Sequence, residues 1–185
     1  MAGDTTRDGT GRGNRWRLAT WGGAAVLLAI PAVAMQFEGS GVHWTMGDFV
    51  AMGVLLGIAC GAYEIATRMS GHWAYRAGAA LAILTCFLTV WVNLAVGMIG
   101  DEDNPANLLF GGVILVAMIG AILARFRARG VARAIQVAAV AQGVLAVYAL
   151  VAGDISAALP IAFFMVPWLL GASLFLVAAR DETQP

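Results

Sequence analysis

The chain has no lysine, only two cysteines and two histidines, and few charges: 12 % of its 185 residues are charged. Without a lysine amine no retinal Schiff base can form. Cys60 and Cys86 form neither a CxxC pair nor a disulfide framework. A formal net charge of zero leaves no basic footprint for nucleic acid. These absences exclude several functions, and the sequence identifies no cofactor.

Apolar residues are abundant instead, at 61 % of the chain with a mean hydropathy of +0.81. A soluble domain averages about half apolar and about a quarter charged residues. The sequence therefore predicts an all-α fold, a polytopic transmembrane helical bundle of six spans in one domain over residues 16–181. Each apolar run can cross about 30 Å of hydrocarbon as a helix. The six runs are 18–35, 47–66, 77–100, 108–124, 131–152 and 161–179.

The basic residues predict the orientation of this bundle. All eleven are arginines, and all fall before the first span, between spans two and three, between spans four and five or in the first turn of the fifth, or after the sixth. Short loops rich in basic residues stay in the cytoplasm. We therefore expect a multi-pass protein of the bacterial inner membrane with both termini cytoplasmic, 1–15 as a disordered cytoplasmic tail and 182–185 as a short one.

The first span has a second interpretation. Its arginine-bearing start, apolar stretch and Ala32-Val33-Ala34 pattern also describe a secretory signal peptide. Its length and Trp21 near the cytoplasmic end favour an uncleaved anchor, because aromatic residues gather at membrane interfaces. A mature chain starting near Met35 would show cleavage.

The second span carries a packing motif and a carboxylate. Gly53, Gly57 and Gly61 are spaced by four, which in lipid allows close approach of another helix backbone, within one chain or between copies. Glu64 falls between these glycines on the helical wheel and so faces the protein interior. An intramembrane carboxylate is a functional candidate by default, but Arg68 lies at i+4 near the membrane edge. We favour an ion pair or a protonated acid there over a functional role.

The third span shows polar residues at every fourth position, which predicts a slanted polar ridge towards the outer loop. Asn93 is its strongest member because an amide has four hydrogen-bonding positions to satisfy. Gln142, deep in the fifth span, is expected to pair with Asn93 across the bundle. The bland alternative is that these groups are interhelical hydrogen-bond partners without further function. The ridge comprises Thr85, Thr89, Asn93, Gly97 and Asp101.

The predicted outer face holds most of the remaining candidate ligands. The 100–107 loop has three carboxylates and two amides, the oxygen donors that Ca²⁺ or Mg²⁺ prefers, so the metal question stays open. Asn104 before Pro105 also reads as an N-cap with proline at N1, which we favour. Asp48 lies in the other outer loop. The candidate ligand-binding residues are Asn93, Asp48, Glu102, Asn104 and Asn107.

The segment from 91 to 107, together with shorter motifs elsewhere between Gln36 and Gly153, resembles an uncharacterised family of small bacterial six-helix inner-membrane proteins. The motifs that carry the resemblance include Trp91-Val92-Asn93, Ala62-Tyr63-Glu64 and Ala124-Arg125-Phe126-Arg127. Met98 and Asp101 depart from its pattern, which has isoleucine and serine there. The resemblance implies a fold and no catalytic residues.

Two functional hypotheses follow. The first is non-enzymatic handling or sensing of a small solute or cation, or an accessory role to a membrane partner, through an outward cavity past Asn93 and Asp48. The alternative is a membrane-embedded enzyme with an outward-facing acidic, possibly metal-dependent site. No spacing matches a catalytic constellation, which favours the first. The expected partners are the lipid bilayer, a second copy or another membrane protein, and not nucleic acid.

Overall fold

The structure, a computed structural model, describes residues 8–181, and in this range it is all-helical without strands. The predicted tails at 1–7 and 182–185 lie outside the described residues. The first helix begins at Asp8, within the segment predicted as a tail. The helices are α1 (Asp8–Ala34), α2 (Met46–Met69), α3 (Trp73–Ala95), α4 (Leu108–Leu123), α5 (Ala128–Val151), α6 (Ile155–Phe163) and α7 (Met165–Asp181), with a 3-10 turn at Pro105–Asn107 before α4.

Six helical stretches in the described residues are long and apolar enough to cross a membrane, as the sequence predicts. Their bounds differ at two places. The third ends at Ala95 instead of near residue 100, so Gly97 and Asp101 are not on the helical ridge predicted for them. The sixth begins at Ile155 and is broken at Phe164, which divides it into α6 and α7.

The described chain groups into two compact units that meet at Glu64 and Ile65, within α2, where the sequence predicts one domain. In the first unit, most side chains of α1 and α2 are exposed or half-buried. The fully buried positions of the α2 segment are Met52 and Leu56. These two helices are therefore apolar on nearly all sides, as expected for helices that face lipid.

The second unit contains the buried core. Its centre is formed by α5 and α7: α7 packs against both α3 and α5, while α5 also packs against α4 and α6. Small residues let the backbones approach: an added Cβ at Gly78 would lie 3.2 Å from the Gly171 carbonyl oxygen, and one at Gly120 would lie 2.5 Å from the Ala134 Cβ. These contacts are the close packing of small residues that stabilises helix pairs in lipid.

The glycine series of α2 differs from these contacts. An added Cβ at Gly57 or Gly61 has no heavy atom within 4 Å, and one at Gly53 meets only Leu28 Cδ2, at 3.9 Å. The close backbone approach predicted for this face is therefore absent among the described residues. The sequence leaves two roles open for these glycines, packing within one chain or between copies. Packing against another helix of the same chain is not seen among the described residues.

Candidate functional site

Asp48, the candidate from the first unit, has a structural partner. Its Oδ2 accepts hydrogen bonds from the Thr45 backbone N–H at 2.6 Å and from the Thr45 hydroxyl at 2.8 Å, and Thr45 Oγ1 accepts from the Asp48 N–H at 3.3 Å. This reciprocal pair is a capping box at the start of α2. The Thr45-x-x-Asp48 spacing was readable from the sequence, and it accounts for the carboxylate without a ligand.

Glu64 pairs with α1. Its Oε1 lies 3.1 Å from Arg17 Nη2, and its Oε2 accepts a 3.5 Å hydrogen bond from Trp21 Nε1. From the sequence, Arg68 is the expected partner of Glu64, and Arg17 is not among the expected partners. An arginine at the edge of the first span satisfies the carboxylate, which supports a structural role for Glu64.

Asn107 fastens the loop between α3 and α4. Its Oδ1 accepts from the backbone N–H groups of Met98 and Ile99 at 3.0 and 2.9 Å, and its Nδ2 donates to the carbonyl oxygens of Asp101 at 2.6 Å and Ile99 at 3.3 Å. Both functional atoms of the amide are used by the loop backbone. Asn107 is therefore a buried structural latch of this loop.

The latch requires a glycine at position 97. Gly97 has φ +72, and an added Cβ would collide with the Asp101 carbonyl and lie 2.8 Å from Asn107 Nδ2. A residue with a Cβ is strained at this φ, and the space is already filled. This left-handed residue turns the chain out of α3, which explains why the third span is shorter than its apolar run.

The remaining loop candidates divide between a cap and exposed acids. Asn104 Oδ1 accepts from the Ala106 N–H at 2.9 Å with Pro105 following, so the N-cap prediction is confirmed. Glu102 is exposed. Between residues 8 and 181, no three His, Cys, Asp or Glu side chains are grouped closely enough to hold a metal ion. The loop therefore contains oxygen donors, but the structure does not group three of its acidic side chains around a metal site.

The polar centre of the second unit is the break between α6 and α7. Pro167 has no N–H to donate to the Phe163 carbonyl, and the helix is interrupted at Phe164. Gln142 of α5, which is fully buried, donates from Nε2 to the Ile161 carbonyl oxygen at 3.3 Å. The glutamine thus supplies a hydrogen bond to backbone next to the break, as expected where a proline interrupts a membrane helix.

In the described part of the chain, four buried polar atoms of the second unit have no hydrogen-bond partner: Thr89 Oγ1, Asn93 Oδ1, Gln142 Oε1 and Trp168 Nε1. Buried polar groups in proteins are almost always paired, so each orphan indicates a missing partner. Asn93 donates from Nδ2 to the Thr89 carbonyl at 2.7 Å, and Gln142 donates to Ile161. The predicted Asn93–Gln142 hydrogen bond is wrong, because each amide finds a backbone carbonyl instead.

These groups lie at different depths, on both sides of the break. The two helices α3 and α7 run antiparallel, since His72 before α3 binds Asp181 at the end of α7 at 2.8 Å. Gly78 of α3 contacts Gly171 of α7. Counting the same number of residues along both helices from this contact, at about 1.5 Å per residue, shows that Thr89 is level with α6 just before the break. Beside Gln142, an added Cβ at Gly143 would lie 3.0 Å from Met165 Cε, just after the break.

We call Thr89, Asn93, Gln142 and Trp168 the polar level, a set of interior residues of the second unit that is defined by their unpartnered atoms. It contains two amide oxygens that accept, one indole N–H that donates and one hydroxyl that does both. No charged residue occurs in 77–100, 134–153 or 155–179. Each of these atoms can pair with a neutral group that donates or accepts hydrogen bonds, such as a water molecule.

Of the sequence candidates, Asn93 and Gln142 belong to this set, while the structure places Asp48, Asn104 and Asn107 in local caps and turns. Thr85 donates to the Leu81 carbonyl at 2.7 Å, as expected for a hydroxyl that bonds its own helix. Sequence reasoning missed Trp168. Its position one residue after Pro167 was the available signal, because a proline-interrupted span exposes polar backbone to its neighbours.

Comparisons with protein-family models, with curated proteins and with solved structures find no match.

Proposed function

We propose that this chain is a multi-pass protein of the bacterial inner membrane, with both termini in the cytoplasm, that handles or senses a small neutral polar solute without catalysing a reaction on it. The observation that supports this function is the set of four unpartnered polar atoms of the polar level. A bound solute or water would supply their missing hydrogen bonds. The ionic alternative is disfavoured, because a charge at this depth would have no counter-charge in the surrounding helices.

The broken sixth span supports the same function. Discontinuous helices near the bilayer midplane commonly form solute sites in membrane transporters, since the interrupted backbone offers polar groups where a continuous helix offers none. Gln142 is placed at this break by its hydrogen bond to Ile161. Its Oε1 remains available for a solute.

The enzymatic alternative has no comparable support. It requires the outer acids to act together, and in the described residues Asp48 serves as part of a helix cap while Glu102 is exposed. Asp48, Asn104 and Asn107 already have partners from their own loops.

The test is saturation-transfer NMR on the full chain in lipid nanodiscs, with acetamide and glycerol as probes. Both are small, neutral, and able to donate and accept hydrogen bonds. We expect transfer to at least one probe in the wild type and its loss in Gln142→Leu. The matched control is Gln136→Leu, a substitution of the same kind at an exposed position of α5, which should keep the signal. No transfer in the wild type, or equal transfer in Gln142→Leu, would reject the function.

A further inference from the structure

A shallow, open surface lies on one face of α5, away from the polar level, and we call it the groove. It is lined by Arg133, Gln136, Val137 and Val140. These positions follow the spacing of one helix face, and the groove extends over about 10 Å of helix from Arg133 to Val140 at 1.5 Å per residue. A cationic and polar end towards the start of α5 thus continues into an apolar wall, whose valines are 56 % and 65 % exposed.

The cationic end of the groove is reinforced by neighbouring arginines. Arg125, Arg127 and Arg129 are exposed in the α4–α5 turn and the first turn of α5. In the described chain, no salt bridge is found for these three or for Arg133, so their charge is uncompensated. Such a concentration of positive charge attracts the anionic groups of a membrane surface.

The turn that carries these arginines is held in one conformation. Arg125 and Phe126 both have positive φ, +50 and +56, which is strained for residues with a Cβ. The Phe126 N–H bonds the Ala121 carbonyl at 2.9 Å, and the Phe126 carbonyl accepts from the Tyr75 hydroxyl at 2.9 Å. A strained backbone persists where its surroundings fix it, and such sites are often functional. The arginine positions are therefore preset and not left to a flexible loop.

We propose that this groove binds an anionic phospholipid, with its phosphate at Arg133 and Gln136 and an acyl chain along Val137 and Val140. The guanidinium group donates paired hydrogen bonds to phosphate oxygens, and the Gln136 amide adds another donor. The valines provide the apolar surface that an acyl chain covers. The proposal does not depend on the solute site, because the two sets of residues share no member.

The test is native mass spectrometry of the full chain released from nanodiscs that contain equal amounts of phosphatidylglycerol and phosphatidylcholine. We expect the wild type to retain phosphatidylglycerol in preference to phosphatidylcholine. Arg133→Gln should reduce this preference about fivefold, the factor for one basic side chain near an anionic lipid surface. Arg133 is exposed, so its replacement should leave the fold intact.

Arg180→Gln is the matched control. It removes the same charge at the same end of the bundle, since α7 ends where α3 begins and Tyr75 at the start of α3 bonds the α4–α5 turn, but Arg180 does not line the groove. Retention in this variant should equal that of the wild type. Equal retention of the two lipids by the wild type, or the same loss in Arg180→Gln as in Arg133→Gln, would overturn the proposal.

Discussion

The Gln142 side chain donates a 3.3 Å hydrogen bond to the Ile161 carbonyl oxygen, joining the middle of α5 to the end of α6 at the point where the sixth span breaks. Both residues are fully buried. The bond uses the amide nitrogen of Gln142 and leaves its oxygen unpartnered. One residue thus both stabilises the break and offers an acceptor to the interior, a combination that a purely structural glutamine does not need.

Pro167→Ala should reduce solute binding without loss of stability. The alanine N–H can donate to the Phe163 carbonyl, so α6 and α7 gain a hydrogen bond and approach a continuous helix. Saturation transfer to acetamide would then weaken while the unfolding temperature stays equal or rises. Pro31→Ala in α1 is the control, since Pro31 is inside a helix of the first unit. If saturation transfer were unchanged in Pro167→Ala, the break between α6 and α7 would not be needed for solute binding.

Asn107→Ala should destabilise the chain by about 1–3 kcal/mol, because it leaves buried backbone donors of Met98 and Ile99 without a partner. Asn104→Ala should cost about 1 kcal/mol, the usual effect of removing an N-cap. Glu102→Gln should have no effect. Equilibrium unfolding in detergent measures all three. If Asn107→Ala were as stable as the wild type, the stabilising role assigned to Asn107 would be wrong.

Gly78→Leu and Gly57→Leu should behave oppositely. At Gly78, an added Cβ would lie 3.0 Å from the Phe175 ring, so a leucine overpacks the α3–α7 contact and costs about 1–3 kcal/mol or more. At Gly57 the space is open, so the fold should tolerate leucine. Thermal unfolding, together with the oligomeric mass measured by light scattering, distinguishes two packing roles of the helix face that contains Gly57. A lower oligomeric mass would show contact between copies, and destabilisation at constant mass would show an intrachain contact.

Asp154 predicts a pH dependence. Its carboxylate accepts from the Ser156 hydroxyl at 2.6 Å and caps α6 through the Ala157 N–H at 2.9 Å. These bonds, the hydroxyl first, lower the pKa of Asp154 below its ordinary value near 3.8. Since the folded pKa is lowered, the stabilisation is complete above the ordinary value and disappears as the pH falls through the lowered one.

The check compares the unfolding temperature of the wild type with that of Asp154→Asn between pH 6 and pH 3. Asparagine keeps a capping oxygen but does not titrate. The advantage of the wild type should shrink towards pH 3. An advantage that is constant over this range would show that the ionised form of Asp154 gains nothing from its two hydrogen bonds.

Much of the fold could be predicted from composition and apolar runs. Six helical stretches follow from run length, and the Asn104 cap follows from local residue preference. The end of α3 could not be located this way. Residues 96–100 are as apolar as a helix interior, and what ends the helix is the contact of Gly97 with a residue further along the chain, Asn107.

The candidate site was only partly readable for the same reason. Asn93 and Gln142 are recognisable as polar groups in apolar runs, but their partners are backbone carbonyls, which no residue letter marks. Trp168 has one sequence signal, its position after Pro167, but its burial depends on the packing of α7 against both α3 and α5. Asp48, in contrast, could have been assigned to its cap from the spacing to Thr45 alone.

The most direct test of the polar level is hydroxyl-radical footprinting of Trp168 by synchrotron radiolysis in nanodiscs, with and without acetamide. Radicals formed from water in place oxidise a buried side chain only when water reaches it, and polar cavities hold water while apolar ones stay dry. We predict that Trp168 is oxidised in the wild type, protected by acetamide and less modified in Gln142→Leu, while the buried Phe175 on the same helix stays unmodified. The account would be contradicted if Trp168 were never oxidised, or if its oxidation were unchanged both by acetamide and by Gln142→Leu.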